Sequence, residues 1–158
     1  MIFVTVGSQL GFDRLVGAVA AWARDRREDR VFMQTADTAV DLSGIAHMPM
    51  LTAAEIRRRY DEATLVVAHA GTGSIIECML RGKPIVVMPR SAALRETRND
   101  HQFATARRFQ SRPGVFVAWD ESELPALLDR ASELRGGGGI AAHAGAPLLA
   151  ALRAFVEE

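Results

Sequence analysis

One cysteine, Cys78, is all the thiol chemistry this chain of 158 residues has. An internal disulfide framework is therefore excluded. A single thiol in an apolar helical stretch reads as a small core side chain in a reducing compartment. Charge of one sign is lacking too: 19 Lys and Arg balance 19 Asp and Glu, for a formal net charge of zero. Binding nucleic acid by phosphate neutralisation needs a basic excess or a basic face, so no nucleic-acid partner is expected. Two local basic clusters, Arg24, Arg26, Arg27 and Arg57, Arg58, Arg59, read either as solvated helix faces or as contacts to an anionic membrane or partner. Long apolar runs are missing; the longest uncharged stretch, 136–152, is short and rich in glycine, so no membrane span is expected. The apolar start at 1–6 has no basic region before it and does not read as a leader. Four scattered histidines and the lack of a D-x-D give no metal site, and no G-x-x-x-x-G-K-[ST] is present to suggest a P-loop ATPase.

What is present is an alternation of short apolar runs and longer amphipathic stretches in a length that suits one domain. β-branched and apolar runs predict strands at 2–6, 31–35, 65–68, 85–88 and 115–117, with a weaker one at 45–48 ending at Pro49. Helical spacing of Phe12, Leu15, Val16, Val19 and Ala23 predicts a helix over 13–26. Further helices are predicted at 53–63, 74–81, 100–109 and 121–134. The first of these has Thr52 and Glu55 in a capping-box pattern. A flexible glycine break at 136–139 and a terminal helix over 147–156 complete a single unit, 1–158. Apolar strands in β-α-β order indicate an α/β fold, a Rossmann-like parallel sheet with helices on both faces.

In such a sheet, ligands bind beyond the carboxyl ends of the strands. Two loops there share a character: Gly7-Ser8-Gln9-Leu10-Gly11 after the first strand, and Gly71-Thr72-Gly73-Ser74 after the 65–68 strand, opening into a helix. Glycine admits close backbone approach, and the first helical turn offers free N–H groups and partial positive charge, so the pair suits a diphosphate. A tight strand-to-helix turn would equally use Gly71 and Gly73. The first loop lacks the three-glycine spacing of a dinucleotide site. Glu77 shares a helical face with Ser74 and suits the paired hydroxyls of a ribose, or simply complements the helix dipole. Asn99-Asp100-His101-Gln102 offers mixed donors and acceptors for a sugar, or an N-cap with an exposed His and Gln. His69 reads either as a phosphate donor or as a structural histidine.

These residues together resemble the C-terminal half of the family 28 glycosyltransferases, enzymes of GT-B architecture with two Rossmann-like domains facing a cleft. The resemblance lies in Gly7-Ser8-Gln9, His69 to Ser74 with Glu77, Gly82-Lys83-Pro84 and Asp100-His101-Gln102. The opening 1–7 and Phe12-Asp13-Arg14-Leu15 are similar to stand-alone versions of that half, which serve two-subunit transferases in dolichol-linked glycan and bacterial exopolysaccharide assembly. Pro89-Arg90 before the polar loop is similar to the bacterial group. The likeness covers about residues 1–118. It departs at Ser8, where the eukaryotic subunits tend to carry threonine, and in the tail after Val117.

The resemblance implies roles. Gly71, Thr72, Gly73 and Ser74 would cradle the diphosphate with Ser8 reaching in, Glu77 would hold the ribose, and Asp100, His101 and Gln102 the sugar. The uracil would lie against backbone near Met50 and Leu51. The donor would be a UDP-sugar, the reaction inverting, with no metal or other cofactor. A chain of this length is expected to lack the acceptor half, and His69 and His101 are only weak candidates for the base, which is expected from a partner. A separate membrane-associated subunit presenting a polyprenyl-diphosphate-linked acceptor is therefore expected, with this chain cytoplasmic and peripheral to the inner membrane face through it. The alternatives are a non-catalytic nucleotide-binding regulatory homodimer and a small NAD-dependent or epimerase-like enzyme.

Overall fold

A computed structural model describes residues 1–28 and 30–140. The helix expected over 147–156 lies outside them. Six parallel strands form one sheet: β1 (Ile2–Thr5), β2 (Val31–Gln34), β3 (Ala46–Met48), β4 (Leu65–His69), β5 (Ile85–Met88) and β6 (Val115–Val117). Their order across the sheet is β3-β2-β1-β4-β5-β6, so the direction of winding reverses between β1 and β4. Right-handed crossovers then place helices on opposite faces for the two halves.

The strand side chains alternate between those faces. Ile2, Val4, Val6, Met33, Leu65, Val67 and Val86 form one core with α1 (Asp13–Arg26) and α5 (Leu124–Asp129). Phe3, Phe32, Val66, Ala68, Ile85 and Val87 form the other, under α2 (Ala53–Glu62), α3 (Thr72–Leu80) and α4 (His101–Phe109). Cys78 is buried in this second core. The expected α/β fold is thus observed.

Local chemistry sets the element ends. The capping box at Thr52 and Glu55 is fully formed. Lys83 donates to the carbonyls of Asp61 and Ala63 at 2.8 Å each, closing the C-terminal end of α2. Residues 121–134 are not one helix. Asp120 accepts from the amide and hydroxyl of Ser122, which holds a turn ahead of α5. After Asp129 the bonds shorten to three-residue steps, Arg130 to Leu127 and Ala131 to Leu128, although Leu134 remains buried. The glycine run has a packing role that a flexible break does not contain. A Cβ on Gly136 would stand 1.7 Å from the Gly82 carbonyl oxygen, and one on Gly137 2.3 Å from that of Pro113.

Most of the two basic clusters are engaged in ion pairs: Arg24 with Asp41, Arg26 with Asp129, and Arg58 and Arg59 with Glu62. Such exposed pairs add little stability. Arg59 also stacks 3.6 Å over the Phe32 ring. Among the described residues no helix is long and apolar enough to cross a membrane.

Candidate functional site

The reversal of winding between β1 and β4 leaves a crevice at their carboxyl ends, the usual ligand position in open α/β sheets. Here it is a cavity of about 680 Å³, within the range of small-molecule sites. Its floor is a buried polar network. The Thr5 hydroxyl donates to Gln34 Oε1 at 2.7 Å, and Gln34 Nε2 donates to the carbonyls of Gly7 at 3.0 Å and Pro49 at 2.8 Å. Gln34 is 2% exposed, so each of these bonds matters: a buried amide left unpaired is costly. The network ties the loop after β1 to the end of β3, where Met50 and Leu51 line the cavity.

Arg90, just past β5, holds the same loop from the other side. Its guanidinium donates to the carbonyls of Val6 (2.9 Å), Leu10 (2.7 Å) and Gly11, and to that of Glu96 (3.3 Å). Arg14 grips the Glu96 carboxylate with two bonds of 2.9 and 2.8 Å, bracing the segment after Arg90. Sequence reading noted Arg90 only as the start of a loop and missed Thr5 and Gln34. The one signal available was a polar residue ending each of two apolar strands, which alternation alone does not make functional.

At the end of β4 the chain turns at Gly71 into α3, whose N-cap makes no side-chain hydrogen bond and whose first turn carries no acidic residue. The N–H groups of that turn are the orphans of every helix start. The His69 ring is wedged between two glycines. A Cβ on Gly7, at φ +83°, would stand 2.8 Å from His69 Cε1, and one on Gly71 would stand 2.3 Å from Nε2. These glycines are thus needed for the ring as much as for any ligand. His69 Nδ1 is buried without a hydrogen-bond partner.

Burial, assisted by the charges of Arg90 and His101, lowers the His69 pKa to about 4, with the Thr5 backbone acting in the opposite sense. The ring is neutral near pH 7. Because its folded value lies below the ordinary 6.5, its stabilising contribution is complete above 6.5 and is lost as pH falls toward about 4, on the order of 3 kcal/mol in all. Denaturant titrations at pH 7.5 and pH 4.5 should show a loss of stability that shrinks in His69→Ala. An equal loss in the variant would exclude His69 as its source.

Ser74 and Glu77 both border the cavity from α3. Glu77 is half-exposed and paired with Arg81, which also reaches Asp61 at 2.9 Å. Beneath them Tyr60 is buried, and burial raises its hydroxyl to about 12 while Ser74 acts against the shift. From α4, His101 and Gln102 border the cavity as well. The Gln102 side chain is buried, its Oε1 accepting from the Arg90 amide at 3.1 Å. His101 Nδ1 is bonded to Asn99 Oδ1.

Asp100 stands apart from its expected neighbours. Its Oδ1 accepts from the Ala92 amide at 2.8 Å, and it is not among the cavity-lining residues. The other expected residues, Gly7, Ser8, Gln9, His69, Gly71, Thr72, Gly73, Ser74, Glu77, His101 and Gln102, all line the one cavity. Arg57 and Thr105 line it too and were not anticipated there. Among the described residues no three His, Cys, Asp or Glu cluster as metal ligands.

Known proteins share this arrangement of chain. UDP-N-acetylglucosamine transferase subunit ALG13 of Eremothecium gossypii is 38% identical over 71 residues, 44% of this chain and 33% of that protein. The UDP-N-acetylglucosamine--N-acetylmuramyl-(pentapeptide) pyrophosphoryl-undecaprenol N-acetylglucosamine transferase of Phenylobacterium zucineum is 34% identical over 128 residues, 74% of this chain and 34% of that protein. The matched segments make up about a third of the length of each relative. Among solved structures, MurG of Acinetobacter baumannii superposes with a TM-score of 0.60 at 19% identity, over 84% of this chain and 42% of that one. The NMR structure of ALG13 does so with a TM-score of 0.56 at 20% identity, over 96% and 93% of the two chains. These likenesses establish a shared Rossmann-like fold. The family model of the glycosyltransferase family 28 C-terminal domain matches residues 1–131, so the chain belongs to that family.

Proposed function

We propose that this chain binds the UDP-sugar donor of an inverting glycosyltransferase whose acceptor half is a separate, membrane-associated subunit. The observation that carries the reading is the uncapped first turn of α3 opening on a cavity bordered by two glycine turns. A diphosphate placed there meets N–H groups from Thr72, Gly73 and Ser74, with the Ser8 hydroxyl opposite. The same dipoles stabilise the charge that develops on departing UDP, without metal or other cofactor. Glu77 holds the ribose once Arg81 yields one carboxylate oxygen, and His101 and Gln102 bound the sugar end, with Asp100 behind them. The names of the relatives, both N-acetylglucosamine transferases and one of them a subunit, favour UDP-GlcNAc and a two-part enzyme. The acceptor is a polyprenyl-diphosphate-linked glycan, reached at the cytoplasmic face of a membrane through the partner.

Thermal shift tests the donor. At a hundredfold excess over Kd, a ligand adds about 2.7 kcal/mol, which raises Tm by about 5 °C or more for a domain of this size. UDP and UDP-GlcNAc should do this, and NAD and ATP should not; equal shifts with all of them would overturn the reading. Glu77→Ala should weaken UDP binding about tenfold, as expected for loss of a charged hydrogen-bond partner. Unchanged affinity would remove Glu77 from the site.

A further inference from the structure

Among the described residues Arg90 is the one charged side chain that is buried, at 4% exposure. A buried charge is costly unless it is paired. The four N–H bonds that Arg90 makes all go to neutral carbonyls, those of Val6, Leu10, Gly11 and Glu96. It forms no ion pair among the described residues, and the Glu96 carboxylate, which might have served, is held by Arg14 and the Ser91 amide. The Phe12 ring face, 4.6 Å away, offers partial compensation. Nε–H has no acceptor among the described residues, and Arg90 borders the cavity. Its charge also adds to the burial that lowers the proton affinity of the His69 ring, which lies against Gly71.

Arg90 also joins the two ends of the cavity. Its guanidinium fixes residues 6–11 on the proposed diphosphate side, while its own amide is fixed by Gln102 on the proposed sugar side. We infer that Arg90 is the positioning residue of the site: it sets the shape of the 6–11 loop, and its charge, which forms no ion pair among the described residues, is completed by the diphosphate of the ligand. This rests on the donor-site reading above.

The experiment compares UDP with uridine by calorimetry in the wild type, Arg90→Met and Arg90→Lys. The ratio of uridine Kd to UDP Kd isolates the diphosphate side of the cavity, and a general loss of stability would leave that ratio unmoved. Arg90→Met should reduce the ratio by about tenfold to a hundredfold, the range for removing a charged partner. A folded Arg90→Met with the wild-type ratio would overturn the inference. Should Arg90→Met not fold, Arg90→Lys decides. A lysine keeps the charge and loses the fork, so the hydrogen-bonded Val6 and Gly7 amides should exchange at least about tenfold faster, with the ratio kept within about threefold. Unchanged exchange would overturn the positioning role. If the wild type binds neither UDP nor uridine, the donor reading fails on its own account. Inorganic pyrophosphate then tests Arg90 separately, since it should stabilise the wild type and not Arg90→Met.

Discussion

Gly71→Ala is expected to remove measurable UDP binding and to lower stability by about 2–3 kcal/mol, the range for overpacking a filled site. The new methyl would sit 2.3 Å from His69 Nε2 and 2.9 Å from Cδ2. The ring cannot retreat, because Gly7 backs it on the other side and a Cβ there would already stand 2.8 Å from Cε1. The strain therefore passes to the turn itself, displacing the amides of Thr72 and Gly73 from the cavity. Denaturant unfolding and UDP titration check both halves of the expectation. The double variant Gly71→Ala/His69→Ala should recover most of the lost stability, since the clash has one source and the two substitutions are coupled. Additive losses would show that the glycine serves something other than the imidazole.

The second large effect concerns turnover. Purified alone, the chain is expected to bind UDP-sugar yet transfer it about 10²–10⁴-fold more slowly than with its acceptor half, the contribution of a general base alone. The surroundings of the two cavity histidines argue against either as that base. His69 is neutral but wedged between glycines with its Nδ1 buried, and His101 is bonded to Asn99 at the rim. The 128 matched residues are 34% of the Phenylobacterium zucineum relative, which leaves room there for a second domain. Transfer of labelled sugar to a polyprenyl-diphosphate-linked acceptor, with and without the partner subunit in membranes, gives the comparison. Full activity in the isolated chain would refute the division of labour.

Much of the fold was legible because its determinants are local. Apolar runs such as 65–68 and 85–88 are bounded by polar, glycine or proline residues, and the Thr52–Glu55 capping box marks the start of α2. The glycine turns were legible for the same reason. What escaped the sequence was held by distant partners. Arg90 bonds to Val6, 84 positions away, and Thr5 to Gln34, 29 away, so nothing near any of these residues in the chain reveals the partner. Asp100 was grouped with His101 and Gln102 by adjacency, yet a turn at the start of α4 sends its carboxylate back to Ala92. The helix expected over 121–134 followed apolar spacing that is real, since Leu124, Leu128 and Leu134 are buried. Turns at either end satisfy the same burial without a continuous helix.

The central place of β1 has a kinetic consequence. It pairs with β2 at Ile2↔Val31 on one flank and with β4 at Ile2↔Leu65 on the other. Both contacts are far apart along the chain, and parallel pairings of this kind require loop closure before they return any stabilisation. During refolding or synthesis the first strand must therefore wait, its apolar side chains uncovered, until β4 has appeared. The crevice between β1 and β4 comes into being in that same late event, so a nascent chain ending before Leu65 has an aggregation hazard in place of a binding site.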